Sequence, residues 1–202
     1  MLFSDTYLTV ESTSNIIFKD KGSKFLSYVY PVETEKQIKE HLVSLKKEHP
    51  TANHHCYAYV IGPDKQNLRA NDDGEPSYTA GKPILGQIQS HDLTNVLIVV
   101  VRYFGGTLLG VSGLIQAYKT SALEAIKNSK IIEKKIEFKY VITFPYIQLN
   151  DAMKLLKQLN CNIHQQQFDS DCEINFSIRK SQSEICEQKL KKIAGLQLTA
   201  IY

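Results

Sequence analysis

Residues 98 to 119, IVVVRYFGGTLLGVSGLIQAYK, restrict the fold more than any other part of the chain. Residues 96–101 form an unbroken apolar, largely β-branched run, the pattern of a strand covered on both faces, and Arg102 and Tyr103 end it. Gly105 and Gly106 let the backbone turn, and Gly110 and Gly113 let it approach other groups closely. Leu114, Ala117, Tyr118, Ala122 and Ile126 then recur on one face of a helix. A glycine turn ahead of a helix leaves unpaired N–H groups where a phosphate or carboxylate can sit. The same glycines also serve simply to pack a loop under its helix. The spacing matches neither the dinucleotide fingerprint nor the lysine-serine phosphate loop, so no nucleotide is specified.

Upstream, residues 72–85 read DDGEPSYTAGKPIL. Asp72, Asp73 and Glu75 offer carboxylates for a cation site or a general base. Acidic residues before a helix also cap its amides, and residues 77–81 read as such a start, with Glu75 and Ser77 as the capping groups. Together with RYFGGTLLGVSGLIQAY, GSKF at 22–25 and HHCYAYVIG at 54–62, this segment resembles the YigZ/IMPACT family over nearly the whole chain. The departures are Tyr78 where the family often has glycine, Leu108 where lysine is frequent, and Ser112 and Gln116 where glycine and arginine are common. Two potential cations are thereby absent from the loop.

The resemblance implies the bacterial two-domain form. Residues 1–130 are then an N-terminal domain similar to the left-handed βαβ folds of a small-subunit ribosomal protein's second domain and elongation factor G domain IV. Residues 131–202 are similar to elongation factor G domain V. Eukaryotic relatives resemble translation regulators that bind the activator of an amino-acid-starvation kinase. In the bacterial form the C-terminal domain stands in place of their extra N-terminal recognition domain, so that partner does not carry over.

Periodicity gives an α+β fold of two domains on its own terms. Residues 5–30 read as two strands joined by DKGSK, whose Lys19, Lys21 and Lys24 either meet phosphates or keep a hairpin tip solvated. Thr34 caps a helix carrying Ile38, Leu42 and Leu45 inward, His54 to Ile61 is a strand, and residues 67–71 its partner. Residues 83–89 are helical, which makes the first domain β-β-α-β-β-α-β-α with the helices on one sheet face. The second domain reads as a long strand over 131–144, a helix over 146–159, strands over 163–168 and 172–178, a helix over 183–193 and a strand over 196–201. That order, βαββαβ, is the ferredoxin-like split unit.

The 202 residues, 43% hydrophobic, are enough for two such cores. Net charge is +3, with 14 Lys/Arg against 13 Asp/Glu through residue 130 and 10 against 8 after it, so nucleic-acid binding has to come from a local patch. Cys56, Cys161, Cys172 and Cys186 lack zinc or disulfide-framework spacing and read as free thiols. The first residues, MLFSDTYLTV, carry no leader pattern, and no apolar run is long enough for a membrane span, which places the chain in the cytoplasm.

Two functional readings use overlapping residues. A non-enzymatic, translation-related binding module takes Lys24, Lys82 and Arg102 as cations, Tyr103 and Phe104 for stacking, the amides of Gly105 and Gly106, and Asp73, Glu75 and Ser77 from the acidic motif. Its partner is RNA, the ribosome or a translation-associated protein. The alternative is a small hydrolase or phospho-ligand enzyme using the glycine-loop and acidic-motif surface, with His54 and Glu75 as its catalytic residues and Ser112, Ser77 or Cys56 as the nucleophile a nearby histidine would have to activate. Adjacent His54 and His55 on a strand point to opposite faces, so one of them at most enters a given site. No metal or cofactor is indicated, and oligomeric state is open.

Overall fold

The computed structural model describes residues 5–201; residues 1–4, part of the stretch read above for a leader, and residue 202 lie outside it. The chain divides into two compact units, Tyr7–Lys134 and the remainder from Lys135 onward with Asp5 and Thr6. Both mix helix and sheet, an α+β architecture.

The first unit runs β1 (Thr6–Val10), β2 (Ser14–Asp20), β3 (Ser23–Pro31), α1 (Glu35–Glu48), β4 (His54–Ile61), β5 (Asn67–Asn71), α2 (Gly81–Ser90), β6 (Val96–Tyr103) and α3 (Gly110–Lys127). Helix α1 begins where the sequence places it. Thr34 Oγ1 accepts from the Gln37 amide at 3.3 Å while Gln37 Oε1 accepts from the Thr34 amide at 3.1 Å, a reciprocal capping box. Thr34→Ala should lower the unit's unfolding free energy by about 1 kcal/mol, seen as a lower urea midpoint at unchanged slope.

Five strands form an antiparallel sheet in the order β2-β3-β6-β4-β5, with β6 in the middle. Its helices do not share one face. Val96, Ile98 and Val100 pack with Ile84, Ile88, Leu114 and Ala122 of α2 and α3, whereas Leu97, Val99 and Val101 pack with Ile38 and Leu45 of α1. A strand apolar at both parities needs cover on both sides, and a single helical layer leaves one parity wet. Strand β6 also continues through Arg102 and Tyr103, which consequently leave it on opposite faces.

The second unit contains β8 (Glu137–Pro145), a short 3₁₀ turn, α4 (Leu149–Gln158), β9 (Asn162–Phe168), β10 (Asp171–Arg179), α5 (Lys180–Leu190) and β11 (Gln197–Ile201), preceded by β7 (Ile131–Lys135). The sheet order β11-β8-β10-β9, antiparallel throughout, is the ferredoxin-like arrangement. Ile142, Phe144, Leu156, Ile174, Phe176 and Leu190 fill its core. Strand β9 lies at the sheet margin with all seven residues exposed. The expected long strand over 131–144 is two strands. Ile136 interrupts it by burying its side chain, donating its N–H to Asp5 O at 2.8 Å and accepting from the Lys180 amide at 2.9 Å. Strand β7 pairs instead with β1.

Candidate functional site

Strand β6 sets the site because its register brings distant residues together: Arg102 lies opposite Phe25 of β3 on one side and His54 of β4 on the other. The Arg102 side chain is 7% exposed and donates from Nη1 to Glu75 Oε1 at 2.5 Å, with the Glu75 side chain 3% exposed. Tyr118, a fully buried residue of α3, donates its hydroxyl to the same carboxylate oxygen at 2.8 Å, and Cys56 Sγ lies 3.3 Å from the Tyr118 hydroxyl. Phe25 and Phe104 present their rings to the guanidinium at 5.5 and 5.8 Å, and Arg102 Nε is buried with no hydrogen-bond partner among the described residues. His54 holds its ring by Nδ1 against Asp73 O at 2.8 Å, which leaves Nε2 3.8 Å from Glu75.

Burial foremost, then the neighbouring thiol and carboxylate, push the Tyr118 hydroxyl far above its ordinary range, so it stays a donor. Burial likewise raises the Cys56 thiol, and a thiol held neutral is a poor nucleophile. Glu75 Oε1 is engaged by two donors inside a packed interior. The arrangement is chemically a satisfied ion pair, built to hold β6, the acidic segment and α3 together.

The capping role read for Glu75 and Ser77 belongs to Asp72. Its Oδ1 accepts from the amides of Ala80 and Gly81 at 3.0 and 2.8 Å, and its Oδ2 from Tyr78 at 2.9 Å. Helix α2 starts at Gly81 because residues 77–80 form a turn, and Ser77 stands exposed beside it. Asp72→Ala should cost about 2 kcal/mol, the upper end for a lost cap, and lower the urea midpoint accordingly.

Of the other residues singled out in the sequence, Tyr103 and Lys24 are cross-strand neighbours on the α1 face, away from Arg102. The Tyr103 hydroxyl bonds to His49 Nδ1 at 3.0 Å. Asp73 also serves the α1 face, accepting from the His55 amide at 2.7 Å and lying 3.7 Å from Lys46 Nζ. A shallow groove of about 280 Å³ there is lined in part by Lys39, Lys46, His55, Tyr57 and Asp73. Burial lowers the His55 imidazolium below the ordinary histidine range, so the unfolded chain takes up that proton first. The stability this contributes is full above that range and is lost as pH falls toward the depressed value. His55→Phe should flatten the fall in urea midpoint on acidification.

Lys82 alone among these cations stands at the surface of the acidic segment, its ammonium 3.8 Å above the Tyr78 ring. Tyr78 has φ +68°, a left-handed conformation that glycine adopts without strain and tyrosine does not.

In the glycine loop, Gly105 and Gly106 have separate jobs. A Cβ on Gly105 would fall 1.9 Å from the Gly22 carbonyl carbon, because the loop crosses the β2–β3 turn backbone to backbone. Gly106 has open space but φ +86°. The Gly105 amide already donates to Ser23 Oγ at 3.2 Å, and the Phe104 amide to Asn53 Oδ1 at 2.8 Å. What the loop exposes is apolar: Phe104 (45%), Leu108 (85%), Val111 (59%) and Ile115 (39%). Val111 and Ile115 are one helical turn apart on α3. Among the described residues no group of three or more His, Cys, Asp and Glu side chains is placed to hold a metal.

Sequence reasoning read Tyr118 only as a helix-face residue, Asp72 as one of three carboxylates for a cation or a base and Phe104 as a stacking group, and gave Phe25 no part in the site. Tyr118 does carry a signal, a hydroxyl on an otherwise apolar helix face, which needs a buried partner.

Residues 21–126, the span holding this whole cluster, match the Impact N-terminal domain. The chain belongs to the IMPACT family. The IMPACT family member YvyE of Bacillus subtilis is 40% identical over 65% of this chain, a stretch that spans 60% of that protein. An IMPACT family member of Haemophilus influenzae is 34% identical over 88% of each chain. A crystal structure described as that of a hypothetical protein superposes with TM-score 0.76 at 30% identity, covering 99% of both chains. The membership implied by the two long motifs is thus established, and the likeness to that IMPACT member and that structure extends through the ferredoxin-like unit.

Proposed function

We propose that this IMPACT-family chain is a non-enzymatic, cytoplasmic, translation-related regulator. It works by docking a translation-associated protein, or a protein surface of the ribosome, on the apolar rim of the glycine loop. The observation that carries this reading is the burial of Arg102 against Glu75. The strongest cation of the glycine-loop motif is spent inside the fold, while Phe104, Leu108 and Val111 face outward. Exposed apolar groups clustered on a loop and adjoining helix turns are a protein-contact surface more than a phosphate site. The family membership supports a translation-related setting. No described helix is long and apolar enough to cross a membrane. The hydrolase reading draws no support from the geometry, since Glu75 is engaged by Arg102 and Tyr118 and the Cys56 thiol is held neutral.

The test is cosedimentation with ribosomes and with a ribosome-free translation-factor fraction from the protein's own source, across a salt series. Leu108→Asp, Val111→Asp and Lys82→Ala are compared with wild type. Apolar docking predicts association that survives high salt, is lost in the two aspartate variants and is retained by Lys82→Ala. Association that falls steeply with salt, is lost in Lys82→Ala and is kept by Leu108→Asp would replace this reading with phosphate-backbone binding. Absence of association with either fraction at any salt would sink both.

A further inference from the structure

Strand β2 ends its sheet on the side away from β3. It turns into β3 through Lys21 and Gly22, with φ +43° and +83°, the pair of left-handed residues of a type I′ turn, and Asp20 lies opposite Ser23. The residues flanking such a turn exchange both backbone hydrogen bonds. By alternation Phe18, Ile16 and Ser14 also bond to β3, while Lys19, Ile17 and Asn15 aim their N–H and C=O groups outward. Asn128 Nδ2 reaches the Asn15 carbonyl at 3.4 Å in keeping with that alternation, and among the described residues nothing takes up the outward groups of Ile17 and Lys19. Beside this edge a groove of about 480 Å³ is lined by Ile16, Ile17, Phe18 and, from the end of α3, Glu124, Lys127 and Asn128. Ile16 and Phe18 are half-buried against the core on the α3 face, whereas Ile17, 63% exposed, leaves the sheet on the other face.

We propose that this edge is the contact surface of a homodimer, in which β2 pairs antiparallel with β2 of a second copy about a twofold axis at Ile17 and joins the two five-stranded sheets into one. The strand is self-complementary in that register. Ile17 meets Ile17, Asn15 meets Lys19, Ile16 meets Phe18 and Ser14 meets Asp20. Every outward-facing backbone group finds an outward-facing partner, and no like charges oppose each other. Ile16 and Phe18 of each copy enter the groove of the other. Helix α3 packs over β2 and β3, so the axis sets it beside its copy at about the 8–10 Å spacing of packed helices. Glu124 and Lys127, 2.9 Å apart on one helix and next to the axis, are carried toward Lys127 and Glu124 of the second copy. This complementarity is what selects a second copy as the occupant. Lys19 and Asp20 guard the edge against other registers, since sliding one strand two residues toward its turn sets Lys19 against Ile17 and Asp20 against Ile16. The groove lies roughly 20 Å along α3 from Val111, so the docking rim of the glycine loop is not used by the pairing.

The test is sedimentation velocity of the full chain from micromolar to near-millimolar concentration. The expected result is a reversible, concentration-dependent shift from the monomer mass to twice that mass. Ile17→Lys sets two ammonium groups together at the axis and should weaken the dimer by about a hundredfold or more. Ile17→Pro removes an outward N–H that β3 does not use, and should abolish the dimer as well. Ile17 is exposed and belongs to no core cluster, so both variants should keep the wild-type circular dichroism spectrum. Ile17→Cys, mildly oxidised and mapped by mass spectrometry, should give a dimer linked through position 17 in both chains, which reads the register directly. Wild type that stays monomeric at every concentration overturns the proposal and leaves the edge to a foreign strand or to solvent. A dimer that survives either Ile17→Lys or Ile17→Pro, or one that is lost instead in Gln165→Lys on β9, overturns it equally.

Discussion

Glu75→Ala should destabilise the Tyr7–Lys134 unit by about 3–5 kcal/mol, the range for removing one partner of a buried ion pair. Arg102 would be left charged between Phe25 and Phe104 with its Nε already unpartnered, and the Tyr118 hydroxyl would lose its acceptor. The measurement is a urea titration followed by far-UV circular dichroism, which should show a much lower midpoint. Tyr118→Phe removes a donor to the carboxylate and the acceptor of the Cys56 thiol but no charge, and should cost about 1.5–3 kcal/mol. Substituting both charged partners by apolar residues, Glu75→Leu with Arg102→Met, should recover most of the loss, because no uncompensated charge is left behind. A Glu75→Ala midpoint equal to wild type would mean that the pair is solvated in solution. Arg102 would then be free to meet a ligand after all.

The second large effect belongs to Gly105→Ala. A methyl there would overlap the Gly22 carbonyl and the Ser23 amide at about 2 Å, and both are backbone atoms of a tight hairpin that cannot step aside as a flexible side chain would. The expected cost is about 3 kcal/mol, the upper end for overpacking, with the β2–β3 turn or the loop forced open. Gly106→Ala, one residue on, meets no atom and pays only for its left-handed backbone, about 1 kcal/mol. The comparison of the two midpoints separates close packing from backbone freedom within one loop. Equal losses would mean that the crossing of loop and hairpin is looser than the structure has it.

Local signals carried much of the fold. Thr34 and Gln37 are three residues apart, so the α1 cap is readable directly, and the alternation of β4 puts His54 and His55 on opposite faces whatever strands lie beside them. The βαββαβ order of the second unit follows from periodicity in the same way. Family membership was legible because two long motifs occur in sequence. What was not legible depended on sequence-distant pairing. The two-sided burial of β6 was visible as a run of apolar residues, yet which helix covers which parity is decided only when α1 folds back from fifty residues upstream. Arg102 looked like a surface cation for the same reason: nothing near it in sequence indicates that Glu75 and Tyr118 will enclose it. Asp72 and Glu75 illustrate the point at short range. Both are acidic residues ahead of a helix, but only the turn through Tyr78, with its left-handed backbone, determines which one reaches the α2 amides.

Strand β9 has one further consequence. NIHQQQF contains no lysine, no acidic residue and no proline, and it borders its sheet along seven exposed positions. The margins of the other sheet are guarded, β2 by Lys19 and Asp20 and β5 by Arg69. A border without charge has nothing to repel a foreign strand, so growth of ordered aggregates from concentrated protein should begin at this longer margin or at the equally uncharged β11 on the other side of the sheet. Gln165→Lys, which alters an exposed side chain on that border and no core contact, is then the natural change for keeping the protein monodisperse in storage.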